Sequence, residues 1–159
     1  MARVVCPWWI GYLLVSPIRR WIEIRNPEEF LNPYIKPGMT VFEPGPGMGF
    51  FTLAMAKLVG ASGRVIAADI QPKMLHALRT RADKAGLLTR IETRLAGENS
   101  LGVGDLENSI DFVLAWAMVH ELPSADNFFA EVSATMKRRA TLLFAEPSGT
   151  SMRHTSPGE

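Results

Sequence analysis

Three groups of residues carry the chemistry that this sequence can do. The first is Glu43-Pro-Gly45-Pro-Gly47-Met-Gly49-Phe50. Closely spaced glycines let a backbone take positive φ angles and approach a ligand closely. A helix starting just after them offers unpaired N–H groups to polar or anionic ligand atoms. The carboxylate ahead of them, Glu43, would repel a pyrophosphate and attract an ammonium group. The spacing is Gly45-x-Gly47-x-Gly49, with Phe50 where a dinucleotide fingerprint places its third glycine, which argues against a nicotinamide cofactor. The second group is Asp69, the first charge after the apolar run Val65–Ala68. The third is His120-Glu121: histidine is the residue type suited to proton transfer near neutral pH, and Glu121 could orient or charge it. Each has a structural alternative. Glu43 could cap the next helix, Asp69 could open the turn before Pro72, and His120 could begin a helical turn.

These residues act together only if the fold brings them to one edge. From Lys36 the chain alternates strand and helix signals. Thr40–Glu43 reads as a short buried strand. Gly49–Val59 reads as a helix with Phe51, Ala54, Met55 and Leu58 on one face. Arg64–Ala68 is a second apolar strand, closed by Asp69. Pro72 suits a helix start, Met74, Leu75, Leu78, Ala82 and Ala85 form its face, and Gly86 stops it. Arg90–Leu95 alternates like a half-exposed strand, and a polar loop follows from Ala96 to Asn108. Ile110–Trp116 is a fourth strand. Ser124 or Asp126 can cap a helix with the face Phe128, Phe129, Val132 and Met136, and Thr141–Ala145 is a fifth strand. Near-continuous apolar strands separated by amphipathic helices predict an α/β, Rossmann-like αβα sandwich with a mostly parallel sheet of about five strands. Its ligand belongs at the carboxyl ends of the strands. Those ends hold Glu43, Asp69, the Ala96–Asn99 loop and Ala115–Trp116.

The glycine loop with its leading carboxylate, together with Asp69 at the end of the next strand, resembles the class I S-adenosylmethionine-dependent methyltransferases. The resemblance runs from about Tyr34 to Pro147. Lys36-Pro-Gly-Met-Thr and Gly63-Arg-Val-Ile-Ala-Ala-Asp look most like small stand-alone bacterial or archaeal members. It implies strand order 3-2-1-4-5, S-adenosylmethionine as cofactor and S-adenosylhomocysteine as product. Glu43, Gly45, Gly47 and Gly49 would then wrap the methionine part, and Asp69 would hold both ribose hydroxyls. Ile70 and Met74 match the apolar wall around the adenosine, and Gly97, Glu98 and Asn99 match the adenine-contacting loop. Asp111 to Pro123 resembles the family's fourth-strand motif, whose end, here Ala115 and Trp116, faces the departing methyl group. The implied reaction is in-line displacement onto an unidentified small-molecule acceptor, with His120 as general base.

Three departures from the family pattern stand out. The family sheet ends in an antiparallel hairpin after the fifth strand, and nothing after Pro147 here can form it. Lys137-Arg-Arg139-Ala stands where many relatives carry a Pro-Gly-Gly turn. Pro46 removes one backbone donor from the loop. The fifth strand is therefore expected to present an apolar edge, covered by the tail or by a second copy of the chain. The alternative function is a cofactor-binding protein with little or no turnover.

Composition bounds the rest. With 159 residues, 47% of them apolar and 21% charged, the chain suits one globular domain and excludes a disordered, coiled-coil or collagen-like class. Seventeen basic and 16 acidic residues give a net charge of +1, so no electrostatic case for nucleic acid exists. The single Cys6 excludes an intramolecular disulfide and a cysteine metal cluster, no metal is expected, and a cytoplasmic setting is the default. The apolar stretch Val4–Ile18 is interrupted by Pro7 and Pro17 and is shorter than the ~20 residues a bilayer span takes. It reads as a helical cap on the core. A lid that brings Trp8, Trp9 and Tyr12 over a substrate pocket, or an interfacial membrane anchor, are the alternatives. The chain thus divides into an N-terminal apolar helical cap or lid over 1–33, a cofactor-binding domain over 34–147, and a polar tail over 148–159 expected to be disordered.

Overall fold

The computed structural model describes residues 26–146. The expectations for Trp8, Trp9, Tyr12 and the C-terminal tail lie outside the described residues. In chain order the elements are α1 (Pro27–Leu31), β1 (Thr40–Pro44), α2 (Phe50–Leu58), β2 (Arg64–Asp69), α3 (Pro72–Lys84), β3 (Ile91–Leu95), β4 (Ile110–Trp116), α4 (Ala125–Thr135) and β5 (Met136–Ala145). The five strands form one parallel sheet in the order β3-β2-β1-β4-β5, as the resemblance implies. Among the described residues no helix is long and apolar enough to cross a membrane.

The apolar strands are explained by burial on both faces. Side chains alternate across a strand, so neighbours in sequence enter opposite layers. In β1, Val41 joins Met55, Val59 and Leu78 in one core, while Phe42 joins Ile66, Leu106 and Val132 in the other. In β4, Phe112 and Leu114 go to the first core, and Val113 and Ala115 to the second. Each fully buried large side chain contributes roughly 1.5–3 kcal/mol. α1 is capped by Asn26, whose side chain accepts from the N–H groups of Glu28 and Glu29. Its Leu31 enters the first core.

Two expectations need correction. Ala85 does not share the buried face of α3; it is the exposed C-cap residue, and Leu87 is buried in its place. Met136 is the first residue of β5, not the last of the α4 face, and β5 starts five residues earlier than Thr141. The absence of a Pro-Gly-Gly turn accounts for this. With no breaker, the chain passes from Thr135 into extended backbone at Met136, where ψ is 137°. A register shift between the Ile110–Met136 and Phe112–Thr141 pairs absorbs the extra residues, and Lys137, Arg138 and Arg139 lie exposed along it.

Candidate active site

Two neighbouring strands, β1 and β2, end side by side and present their acidic residues at one edge. Glu43 is the penultimate residue of β1 and is only 3% exposed. The Thr52 hydroxyl, in the first turn of α2, donates to Glu43 Oε2 at 2.5 Å. Burial pushes the Glu43 carboxyl up to about 8; the Thr52 hydroxyl opposes the rise and the Asp69 charge adds to it. Asp69 closes β2 and is 8% exposed. Its Oδ1 accepts from the Gln71 N–H at 2.8 Å. Burial raises Asp69 to about 6, against the pull of the Gln71 and Gly47 N–H groups and with the help of the Glu121 charge.

The glycines between these carboxylates do different work. Gly47 has φ +54°, and a Cβ placed on it would have nothing within 4 Å. The side of Gly47 on which a side chain would stand is therefore open, while its N–H is turned to Asp69. Gly49 has φ +88°, and a Cβ there would lie 2.3 Å from Leu78 Cδ1. It is a packing glycine that lets α2 begin against α3. Arg81 on α3 braces the loop by donating from Nη1 to the Met48 carbonyl at 2.6 Å.

Beyond β4 the chain makes a short 3-10 turn, Val119–Glu121. The preceding residue, Met118, lies against Gly45, so the turn sits beside the glycine loop. The His120 side chain is 29% exposed. Its Nδ1 is hydrogen-bonded to Glu146 Oε2, while Glu146 Oε1 accepts from the Val119 N–H at 2.9 Å. Glu121 Oε1 stands 3.9 Å from His120 Nε2, beyond hydrogen-bond reach. The partner that holds the imidazole is thus Glu146, not the adjacent Glu121. Glu146 and Thr52 are the residues bonded to the candidate groups that sequence reasoning missed. The rule that selected Glu43 and Asp69, a carboxylate at the carboxyl end of a strand, also selects Glu146 just after β5.

The other expected residues divide. Ile70 is 39% exposed next to Asp69. Gly97, Glu98 and Asn99 are exposed in the loop after β3. That loop is held by Glu131 of α4, which accepts from the Ser100 hydroxyl at 2.8 Å and the Leu101 N–H at 2.9 Å. Met74 and Ala115 are packed away from solvent. Trp116 is half-buried and makes an edge contact with Phe30 at 5.6 Å between ring centroids, with Phe51 at 5.2 Å. The edge can do two things chemically. It can hold a ligand with a cationic group near Glu43 and paired hydroxyls near Asp69, and it can move a proton at His120.

Comparison with known proteins gives a consistent answer. Residues 41–139 match the model of a methyltransferase domain. The chain is 29% identical over 112 residues to the ubiquinone/menaquinone biosynthesis C-methyltransferase UbiE of Hydrogenovibrio crunogenus, covering 70% of this chain and 43% of that protein. It is 30% identical over 112 residues to the arsenite methyltransferase of Halobacterium salinarum, covering 70% of this chain and 27% of that protein. The chain therefore spans less than half the length of these curated relatives. Among solved structures, a SAM-dependent methyltransferase from Aquifex aeolicus superposes with a TM-score of 0.78 at 29% identity, over 87% of this chain and 71% of that one. A matched domain over most of the chain, on a sheet of the expected order, makes this protein a member of the class I S-adenosylmethionine-dependent methyltransferase family.

Proposed function

We propose that the chain binds S-adenosylmethionine along the carboxyl edge of its sheet and passes the methyl group to a small-molecule acceptor. The observation that carries this reading is the pair of desolvated carboxylates, Glu43 and Asp69, at the ends of neighbouring strands, with open space on the side-chain side of Gly47 next to Asp69. Two raised carboxyls at one edge favour a cationic partner, because a positive charge restores their ionised forms. A dinucleotide pyrophosphate would worsen the same repulsion. The residues present fit S-adenosylmethionine, which when bound supplies an electrophilic methyl group on a positively charged sulfur.

Glu43 and the Gly45–Gly49 backbone would hold the amino-acid end. Asp69 would accept from the two ribose hydroxyls, and its bonds to the Gln71 and Gly47 N–H groups fix its orientation beforehand. Ile70 would cover the adenosine, with Gly97, Glu98 and Asn99 against the adenine. His120 would take a proton from the acceptor.

Calorimetry with S-adenosylhomocysteine tests the reading. Wild type should bind, and Asp69→Ala should lose about 2–4 kcal/mol, the worth of two charge-assisted hydrogen bonds. No binding by wild type would overturn it.

A further inference from the structure

We infer that Glu146 is the positioning residue for His120, and that the acceptor is one that must lose a proton as it is methylated: a weakly acidic O–H, N–H or C–H group. The inference rests on the methyl-transfer reading above. Three observations carry it. Glu146 Oε2 holds His120 Nδ1, and Glu146 Oε1 is itself held by the Val119 N–H at 2.9 Å. The carboxylate thus has a fixed orientation and cannot turn away from the ring. A carboxylate only accepts, so the neutral imidazole must carry its proton on Nδ1. Nε2 is then the basic nitrogen, with Glu121 no nearer than 3.9 Å.

An already anionic or lone-pair nucleophile, such as a thiolate, needs no base at this position. A carboxylate–imidazole pair beside the glycine loop suits an acceptor that still holds its proton. The step balances as follows. The acceptor proton passes to His120 Nε2. The freed electron pair forms the new bond to the methyl carbon, and the carbon–sulfur pair stays on sulfur, which becomes a neutral thioether. The imidazolium is stabilised by Glu146 until water removes the proton.

Long-range 15N NMR of the full chain at alkaline pH, where the imidazole is neutral, reads the tautomer directly. The His120 signal is assigned by its loss in His120→Asn. Wild type should show Nδ1 protonated and Nε2 bare. In Glu146→Gln the amide has one acceptor oxygen for two donors, Val119 N–H and Nδ1–H, and offers its own NH2 to the ring. The Nε2-protonated form should then grow several-fold, while S-adenosylhomocysteine binding stays within about threefold, showing that the variant is folded. Glu146→Asp, which keeps two acceptor oxygens, should retain more of the Nδ1-protonated form than Glu146→Gln. A wild-type ring protonated on Nε2, or a tautomer ratio unmoved in a Glu146→Gln variant that still binds, overturns the inference and leaves the cofactor reading intact. Failure of wild type to bind S-adenosylhomocysteine strikes the reading beneath it instead.

Discussion

Thr52 and Glu43 are joined by a 2.5 Å hydrogen bond in a place where water scarcely reaches either residue. The hydroxyl lowers the cost of ionising a carboxyl that burial holds near 8. A cationic amino group from the cofactor would complete that ionisation. Proton release therefore accompanies binding at neutral pH, and affinity rises as pH approaches 8. Thr52→Val removes the one side-chain donor that opposes the rise. It should weaken S-adenosylhomocysteine by roughly 1–3 kcal/mol at neutral pH and move the affinity rise to higher pH. Calorimetry in two buffers of different ionisation enthalpy measures both. Equal apparent enthalpies in the two buffers would mean that Glu43 does not change its protonation state on binding.

The same two carboxyls should make the ligand-free protein lose stability as pH rises from acid through neutral to about 8. Glu43 goes from 4.5 in the unfolded chain to about 8, and Asp69 from 3.8 to about 6. The folded state therefore binds more protons than the unfolded state between these values. Their contribution is fully present below the unfolded values and is lost as pH rises, through about 6 for Asp69 and about 8 for Glu43. Urea unfolding across this window should show stability falling with pH, and Glu43→Gln should flatten the upper part of the fall. A wild-type stability that climbs from about pH 5 to about pH 8 would contradict the burial of both groups.

Much of this was legible in the sequence, for a physical reason. Strands buried on both faces read as continuous apolar runs, and their carboxyl ends are marked by the first charges that break the runs, Glu43 and Asp69. The dual role of the glycines was not legible, because Gly47 and Gly49 differ only in what surrounds them: open space for one, Leu78 for the other. Glu146 escaped because its partner, His120, is 26 residues away, and only the parallel pairing of β4 and β5 brings them together. The start of β5 was misplaced for a local reason: Lys137, Arg138 and Arg139 look like a solvated loop but run along an exposed strand.

That division between the glycines predicts opposite phenotypes for the same substitution. Gly49→Ala would force a Cβ to within 2.3 Å of Leu78 Cδ1 at φ +88°. Strain and overpacking together should cost roughly 2–4 kcal/mol of stability. Gly47→Ala meets nothing within 4 Å at φ +54°, so only the left-handed strain of about 1 kcal/mol remains. In the proposed binding mode its new methyl group would enter the ligand's space, and S-adenosylhomocysteine affinity should drop at least about tenfold, or ~1.4 kcal/mol. Thermal unfolding and calorimetry on the pair should separate the two losses. If Gly47→Ala binds like wild type, the ligand does not approach that face of the loop.

Asp111 supplies the control at the opposite end of the sheet. It is the second residue of β4, where its Oδ2 accepts from the Thr40 N–H at 2.9 Å and its Oδ1 meets Lys137 Nζ at 2.7 Å. One carboxylate thus ties the starts of β1, β4 and β5, far along the strands from Glu43 and Asp69. The bond to a backbone N–H is charge-assisted and partly buried, whereas the Lys137 pair is exposed and worth little. Asp111→Ala should therefore cost about 1.5–3 kcal/mol in urea unfolding, and Lys137→Ala no more than about 1 kcal/mol. Because the strand registers are also held by their own ladders and by both cores, the carboxyl edge should keep its geometry. S-adenosylhomocysteine affinity in Asp111→Ala should stay within about twofold of wild type, under ~0.5 kcal/mol. A tenfold loss of affinity would show that the spacing of the Glu43 and Asp69 edge depends on how β1 is anchored at its start, so that fold and site are not separable along these strands.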